Sequence, residues 1–229
     1  MDWSAQIDNY CERTDFSFWS EPANAVTNAA FLIAAVVVWR MVRDRADPGA
    51  RLLLVILTAI GVGSFMFHTF ATRWASAADV LPILLFILVY LWLATVRMLD
   101  LPRWAGFVAV ALFLPFSAVI ASGIAAVTGG LNGSEGYIPT ALLIAGYGLW
   151  LLPGKPRTGR GLLIGAAVLA VSLIMRSLDP SICAVVPLGV HWLWHILNGI
   201  MLGWMILVLD RHDRSNPFLN PGLVESRPC

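Results

Sequence analysis

The sequence predicts an all-α fold, a seven-transmembrane helix bundle, on three observations. Of its 229 residues 59% are apolar and 13% charged, with a mean hydropathy of +0.77, whereas soluble domains average about 25% charged residues. The apolar residues gather in stretches close to the roughly 20 residues that cross a bilayer. The basic residues fall in alternate connections between those stretches, and cytoplasmic loops are where Lys and Arg collect.

Taken in order, residues 1–23 form an acidic segment without the positive start and apolar run of a secretory signal. The first helix, 24–42, runs into the basic connection of Arg40, Arg43, Arg45 and Arg51. The second covers 51–70. The third, 78–97, opens beside Asp79 and closes on Arg97, and the fourth, 103–122, begins at Arg103. The fifth, 137–152, is short and contains Gly146 and Gly148. Lys155, Arg157 and Arg160 precede the sixth, 161–178, and Arg211, Arg214 and Arg227 follow the seventh, 187–209. Residues 210–229 form a tail. No connection is long enough to separate a second domain, so 1–229 is one membrane domain.

Twelve of the fifteen basic residues thus lie on one side, leaving Arg13, Arg73 and Arg176 on the other. This puts the N-terminus outside or lumenal and the C-terminus in the cytoplasm. A single lysine against fourteen arginines suggests a GC-rich coding sequence, and with it a bacterial inner membrane. A net charge of +1 gives no reason to expect nucleic acid, and no obligatory protein partner is expected.

Three of four histidines fall inside apolar stretches, and an ionisable group placed in lipid marks a functional site with a partner to be named. Here the natural partner is a metal. His68 lies near the outer end of helix two, and at about 1.5 Å per residue His191 and His195 lie roughly 6 and 12 Å below the outer end of helix seven. Asp79 starts helix three in the same layer. Residues four apart share a helix face, so His191 and His195 can turn inward together, as can Ser64 and His68. Three imidazoles with a position left for water are the pattern of catalytic zinc, which activates water and polarises a carbonyl. Each residue also has a plainer reading. A membrane histidine can serve as an interhelical hydrogen-bonding group, Asp79 can cap a helix ahead of Pro82, and Ser64 can bond the carbonyl one turn back. Trp192 and Trp194 suit packing or interfacial anchoring, and Gly199 with Gly203 suits close helix approach. His212 falls in the polar tail and is given no role.

Tyr10-Cys11-Glu12, Trp19-Ser20-Glu21-Pro22-Ala23-Asn24-Ala25-Val26-Thr27-Asn28, Ser64-x-x-x-His68, Asp79-x-Leu81-Pro82 and His191-x-x-x-His195 together resemble the alkaline ceramidase family. That family belongs to a wider group of seven-helix membrane hydrolases that includes the adiponectin receptors. The resemblance runs in order from the N-terminus to helix seven and keeps spacings of four, eleven and four residues. It implies that His68, His191 and His195 hold zinc, that Asp79 orients and deprotonates the attacking water, and that Ser64 steadies the oxyanion. The substrate would be a ceramide-like membrane lipid reaching the site from the outer leaflet, on the periplasmic side, and the products a fatty acid and a sphingoid base. It also implies calcium near the N-terminus, held by Glu12, Glu21 and the Tyr10 carbonyl. Asn9 stands where an Asp is expected and the Glu12–Glu21 stretch is about two residues short; Asp8 or Asp15 could substitute, and the plainer reading is a solvated acidic head with no bound ion. Cys11 and Cys183 both fall on the outward side, where a disulfide is permitted, and the family has a comparable link. Cys229, in the tail, stays a thiol.

Other classes compete with this reading. A related hydrolase could act on another acyl amide or an ester. A receptor or sensor could keep zinc for structure, closed by Asp79 as a fourth ligand. A haem protein is disfavoured because two of the histidines lie one turn apart on one helix, and a retinal protein because Lys155 lies in a loop.

Overall fold

The computed structural model describes residues 2–44 and 47–215, Ser215 by its backbone alone. Eight α-helices follow in order: α1 Pro22–Thr27, α2 Ala29–Val42, α3 Pro48–Phe70, α4 Arg73–Leu93, α5 Arg103–Thr128, α6 Ile138–Leu151, α7 Pro156–Ile182 and α8 His191–Ser215. A π-helical turn, Ala94–Met98, extends α4, and among the described residues there is no strand beyond a single bridge between Gln6 and Thr72. Among the described residues, six helical runs are long and apolar enough to cross a membrane by length and composition: Pro22–Val42, Pro48–Phe70, Arg73–Met98, Arg103–Thr128, Pro156–Ile182 and His191–Arg214. The expected fifth helix is present as α6, but its 14 residues rise only about 21 Å, short of a hydrocarbon core of about 30 Å. Most of the expected tail, with Arg227 and Cys229, lies outside the described residues.

Compared with the starts expected from apolar content, α1, α3, α4 and α7 begin two to five residues earlier, α5 begins at the expected Arg103, and α6 and α8 begin one and four residues later. Pro22, Pro48, Pro139 and Pro156 each sit in a first turn, where the missing N–H costs nothing and the fixed φ favours the helix. Helix three of the sequence reading, expected from residue 78, starts as α4 at Arg73. Ala71 turns the chain in the left-handed region (φ 48°), and the N-terminal segment accepts the first free donors of α4, with Arg73 N–H to Ala5 O at 3.0 Å and Trp74 N–H to Trp3 O at 3.1 Å. Asp79 therefore lies well inside α4 and is not its cap.

Packing places α3 against α4, α2 against α8 and α7 between α6 and α8. Phe31, Leu53, Leu57, Ile60, Met205 and Ile206 form a fully buried core. Pro82, inside α4, offers no N–H to the Ala78 carbonyl one turn earlier. Gly63 of α3 packs directly on that carbonyl, where a Cβ would collide. This contact draws the Ser64–His68 turn of α3 against the Asp79 turn of α4. Gly199 lets the backbone of α8 approach Ala30 of α2, as its small size suggested.

The opposite end of the bundle is tied by charge. Asp47 caps α3, accepting from Gly49 N–H at 2.6 Å, and pairs with Arg97, which also reaches Asp213 at 2.6 Å. His212, expected in a polar tail, is instead a buried residue of α8, within 2.9 Å of Thr158 Oγ1 and 3.0 Å of the Arg97 carbonyl. Burial alone would raise the Asp47 carboxyl, but Arg97 and the Gly49 and Ala50 N–H groups hold it below its usual range. A depressed folded-state value contributes stability that is complete at neutral pH and is lost as pH falls through it. Asp47→Ala is expected to cost about 1 kcal/mol at neutral pH, read as a lower melting temperature in detergent, with the gap to wild type closing in acid. A gap independent of pH would count against this account.

Candidate active site

The C-terminal half of α3 supplies Ser64 and His68, the second turn of α4 supplies Asp79, and the first two turns of α8 supply His191 and His195. All five side chains are buried. The three imidazoles converge so that one ring nitrogen from each lies within 4.8 Å of the others, with His68 Nε2 and His195 Nε2 3.1 Å apart.

The partners of the outer ring nitrogens determine what this convergence means. His68 Nδ1 is 2.6 Å from Glu21 Oε2, and a carboxylate only accepts, so Nδ1 carries the proton. His195 Nδ1 is 2.9 Å from Thr27 Oγ1. The single Thr27 hydroxyl proton goes back to the Ala23 carbonyl at 2.7 Å or the Asn24 carbonyl at 3.1 Å, leaving the oxygen to accept from Nδ1–H. In neutral rings with these inferred tautomers, both Nε2 atoms are bare lone pairs facing each other. Two lone pairs at that distance repel unless a cation lies between them. Metal–nitrogen bonds of about 2.0–2.1 Å in a tetrahedral shell place ligand nitrogens about 3.4 Å apart, close to the observed separation. His191 Nδ1 is buried without a hydrogen-bond partner. The set can therefore hold a metal ion, and the outer nitrogens of His68 and His195 are oriented by Glu21 and Thr27, as those of metal-binding histidines usually are.

Asp79 lies outside this three-ligand group. The Ser64 hydroxyl is beside its carboxylate and interacts with it, yet neither Ser64 Oγ nor Asp79 Oδ1 completes a well-formed hydrogen bond. Ser64 differs in this from Thr58, Thr69 and Thr95, whose hydroxyls bond the carbonyl one turn back. Trp194 is buried and stacks on His191 at 5.3 Å, so it packs the site from within.

The acidic head folds over this layer. The Tyr10 ring stacks on His191 at 3.7 Å, and the Tyr10 carbonyl accepts the Arg13 N–H at 3.2 Å. Glu12 caps α1, its two oxygens accepting Ala23 N–H at 2.6 Å and Asn24 N–H at 2.8 Å; burial nonetheless raises its carboxyl above the usual range. Burial would also raise Glu21, but His68, Asn24 and Arg13 bring it below the usual range. Asp8 and Asp15 are exposed. Cys11 and Cys183 form a disulfide with Cα atoms 5.1 Å apart.

Five residues around the site were not singled out in the sequence. Asp179 of α7 caps α8, accepting Val190 N–H at 2.7 Å and His191 N–H at 2.9 Å, and ties in Cys11 N–H at 3.0 Å. Gly189, at φ +64°, makes room for that carboxylate, since a Cβ would strike it. Thr27 orients His195. Arg13, counted only as an outer basic residue, is buried against Glu21 and His68. Arg176, counted the same way, lies over the rings of Tyr137 and Trp194 at 5.2 and 5.6 Å. An N-cap eleven residues distant in sequence and a hydroxyl 168 residues from its histidine leave no local pattern to read.

Below the imidazoles an apolar cavity runs along α8 from Trp194 to Met205, walled by Phe31, Ile60, Phe86 and Leu169. A groove between α4 and α5, lined by Val80, Leu84, Phe113 and Ser117, leads to Tyr137 and Arg176.

Among known families, the one described as Ceramidase matches residues 3–133, which include the head, Ser64, His68 and Asp79 and stop before the α8 histidines. No curated protein matches the chain.

Proposed function

Since this chain belongs to the ceramidase family, we propose that it is an intramembrane zinc-dependent amidase that cleaves the N-acyl bond of ceramide-like lipids into a fatty acid and a sphingoid base. The observation that carries the reading is the convergence of three buried imidazoles, outside whose reach Asp79 keeps a free carboxylate oxygen. A structural zinc site is closed by four protein ligands and a catalytic one is left open, so three favour catalysis over a receptor or sensor. His68, His191 and His195 would hold the ion, and neutral imidazoles suit zinc.

Zinc bound there would act as a Lewis acid toward water and the amide carbonyl. Asp79 takes a proton from the attacking water as the new C–O bond forms and returns it to the leaving nitrogen as C–N breaks. Ser64 donates to the oxygen that gains charge at the carbonyl. The cavity from Trp194 to Met205 holds the acyl chain and keeps bulk water from the reacting bond. Substrate enters from the bilayer through the α4–α5 groove.

The same proposal makes α6 the seventh crossing and turns the histidine layer outward, to the periplasmic side of a bacterial inner membrane. The ends of α2, α4, α6 and α8 and the starts of α3, α5 and α7 carry Arg40, Arg97, Lys155, Arg51, Arg103, Arg157 and Arg211, all at the end of the bundle away from the histidines, as a cytoplasmic face would be.

Purified protein incubated with matched ceramide, acyl-amide and ester lipids is expected to release fatty acid from the ceramide. Stripping metal should abolish release and zinc should restore it. Turnover of the ester alone, or of none of the three by metal-loaded protein, would overturn the assignment.

A further inference from the structure

The Arg13 side chain is 1% exposed and holds the head to the metal layer by three donors. Its Nε donates to Glu21 Oε1 at 2.5 Å, its Nη1 to the Asp15 carbonyl at 3.0 Å and its Nη2 to the His68 carbonyl at 3.0 Å. The other oxygen of Glu21 meets His68 Nδ1 at 2.6 Å and Asn24 Nδ2 at 3.0 Å. Arg13 thus grips His68 twice, directly at its main chain and through Glu21 at its ring. The planar guanidinium fork fixes donor directions that a point charge would leave free. A buried carboxylate needs such a charge, because without one its desolvation is not offset.

The groups expected to bind calcium are already engaged around this guanidinium. Glu12 spends both oxygens on the N-terminus of α1, Glu21 divides its pair between Arg13 and the His68–Asn24 side, and the Tyr10 carbonyl accepts from Arg13 N–H. Asp8 and Asp15 are exposed, and Asp15 Oδ1 accepts Ser17 N–H at 2.8 Å. Calcium requires six to eight oxygens at about 2.3–2.6 Å. Among the described residues the only group of three or more metal-binding side chains is the histidine cluster.

We infer that Arg13 takes the place of the calcium ion expected in the head: a covalently built-in cation that fixes Glu21 and through it orients His68, so that the head neither binds nor needs calcium. Arg13 is on this view a positioning residue for the metal centre. The part that concerns His68 rests on the proposed zinc site, and the part that concerns calcium does not.

The test uses the full-length purified protein in detergent and no lipid substrate. Calcium titrated calorimetrically into the wild type is expected to give no binding heat, and melting temperatures in calcium and in a calcium-selective chelator are expected to coincide. Arg13→Gln should weaken zinc binding, followed by competition with a chromophoric chelator, by about 10–100-fold, the usual cost of losing a partner behind a metal ligand. It should also shift the visible bands of the cobalt-loaded protein. Arg13→Lys, which keeps the charge but not the fork, should recover part of both. One equivalent of calcium bound by the wild type at micromolar affinity would overturn the inference. So would wild-type zinc affinity and cobalt bands in Arg13→Gln. Should Arg13→Gln fail to fold, the wild-type calcium titration and Arg13→Lys still decide. A protein that hydrolyses no lipid leaves these readouts intact, so the two proposals fail separately.

Discussion

Asp79→Asn is expected to lower turnover by about 10²–10⁴-fold, the contribution of a positioned proton-transfer group, while bound metal stays at the wild-type level. Asparagine preserves the shape of the side chain, but it cannot take up a proton. Asp79 lies outside the three-imidazole group, so the ligands are untouched. The measurement pairs fatty-acid release with metal content by elemental analysis on the same sample. Retained turnover would remove Asp79 as the base, whereas lost metal would make it a ligand and revive the closed, structural reading of the site.

The second large effect is expected at His195. His195→Ala removes one of three nitrogens and leaves Thr27 Oγ1 without the ring it now orients at 2.9 Å. Zinc affinity and turnover should fall together, and by more than the roughly 10–100-fold expected when only the supporting partner is lost, as in Thr27→Val. The graded pair separates a ligand from a packing residue. Metal occupancy in His195→Ala equal to that of wild type would dismiss the histidine as a ligand, and equal losses in the two variants would show that the hydroxyl does more than orient.

What the sequence discloses follows from the solvent it is written for. A bilayer demands long apolar stretches with internally paired backbones, so the helices and the common depth of His68, Asp79, His191 and His195 can be read without coordinates. Spacing of four residues brings His191 and His195 to one face, and the disulfide partners follow from the family resemblance together with their shared side. Helix ends are less legible because their caps come from distant segments: Ala5 and Trp3 for α4, Asp179 for α8. Arg13 and Arg176 escape notice for a related reason. Counting charges by side treats every arginine as solvated, and only the fold reveals that Glu21, Tyr137 and Trp194 surround these two. α6 shows the converse: the sequence marks a short stretch, 137–152, and the helix found, Ile138–Leu151, matches it to within a residue at each end.

His68 and His195 stand 127 residues apart, and the head that supports them precedes both. On the proposed reading, a nascent chain threading into the bilayer carries one of the three imidazoles for most of its synthesis, and hydrolytic competence would arise only after the last helix has been inserted.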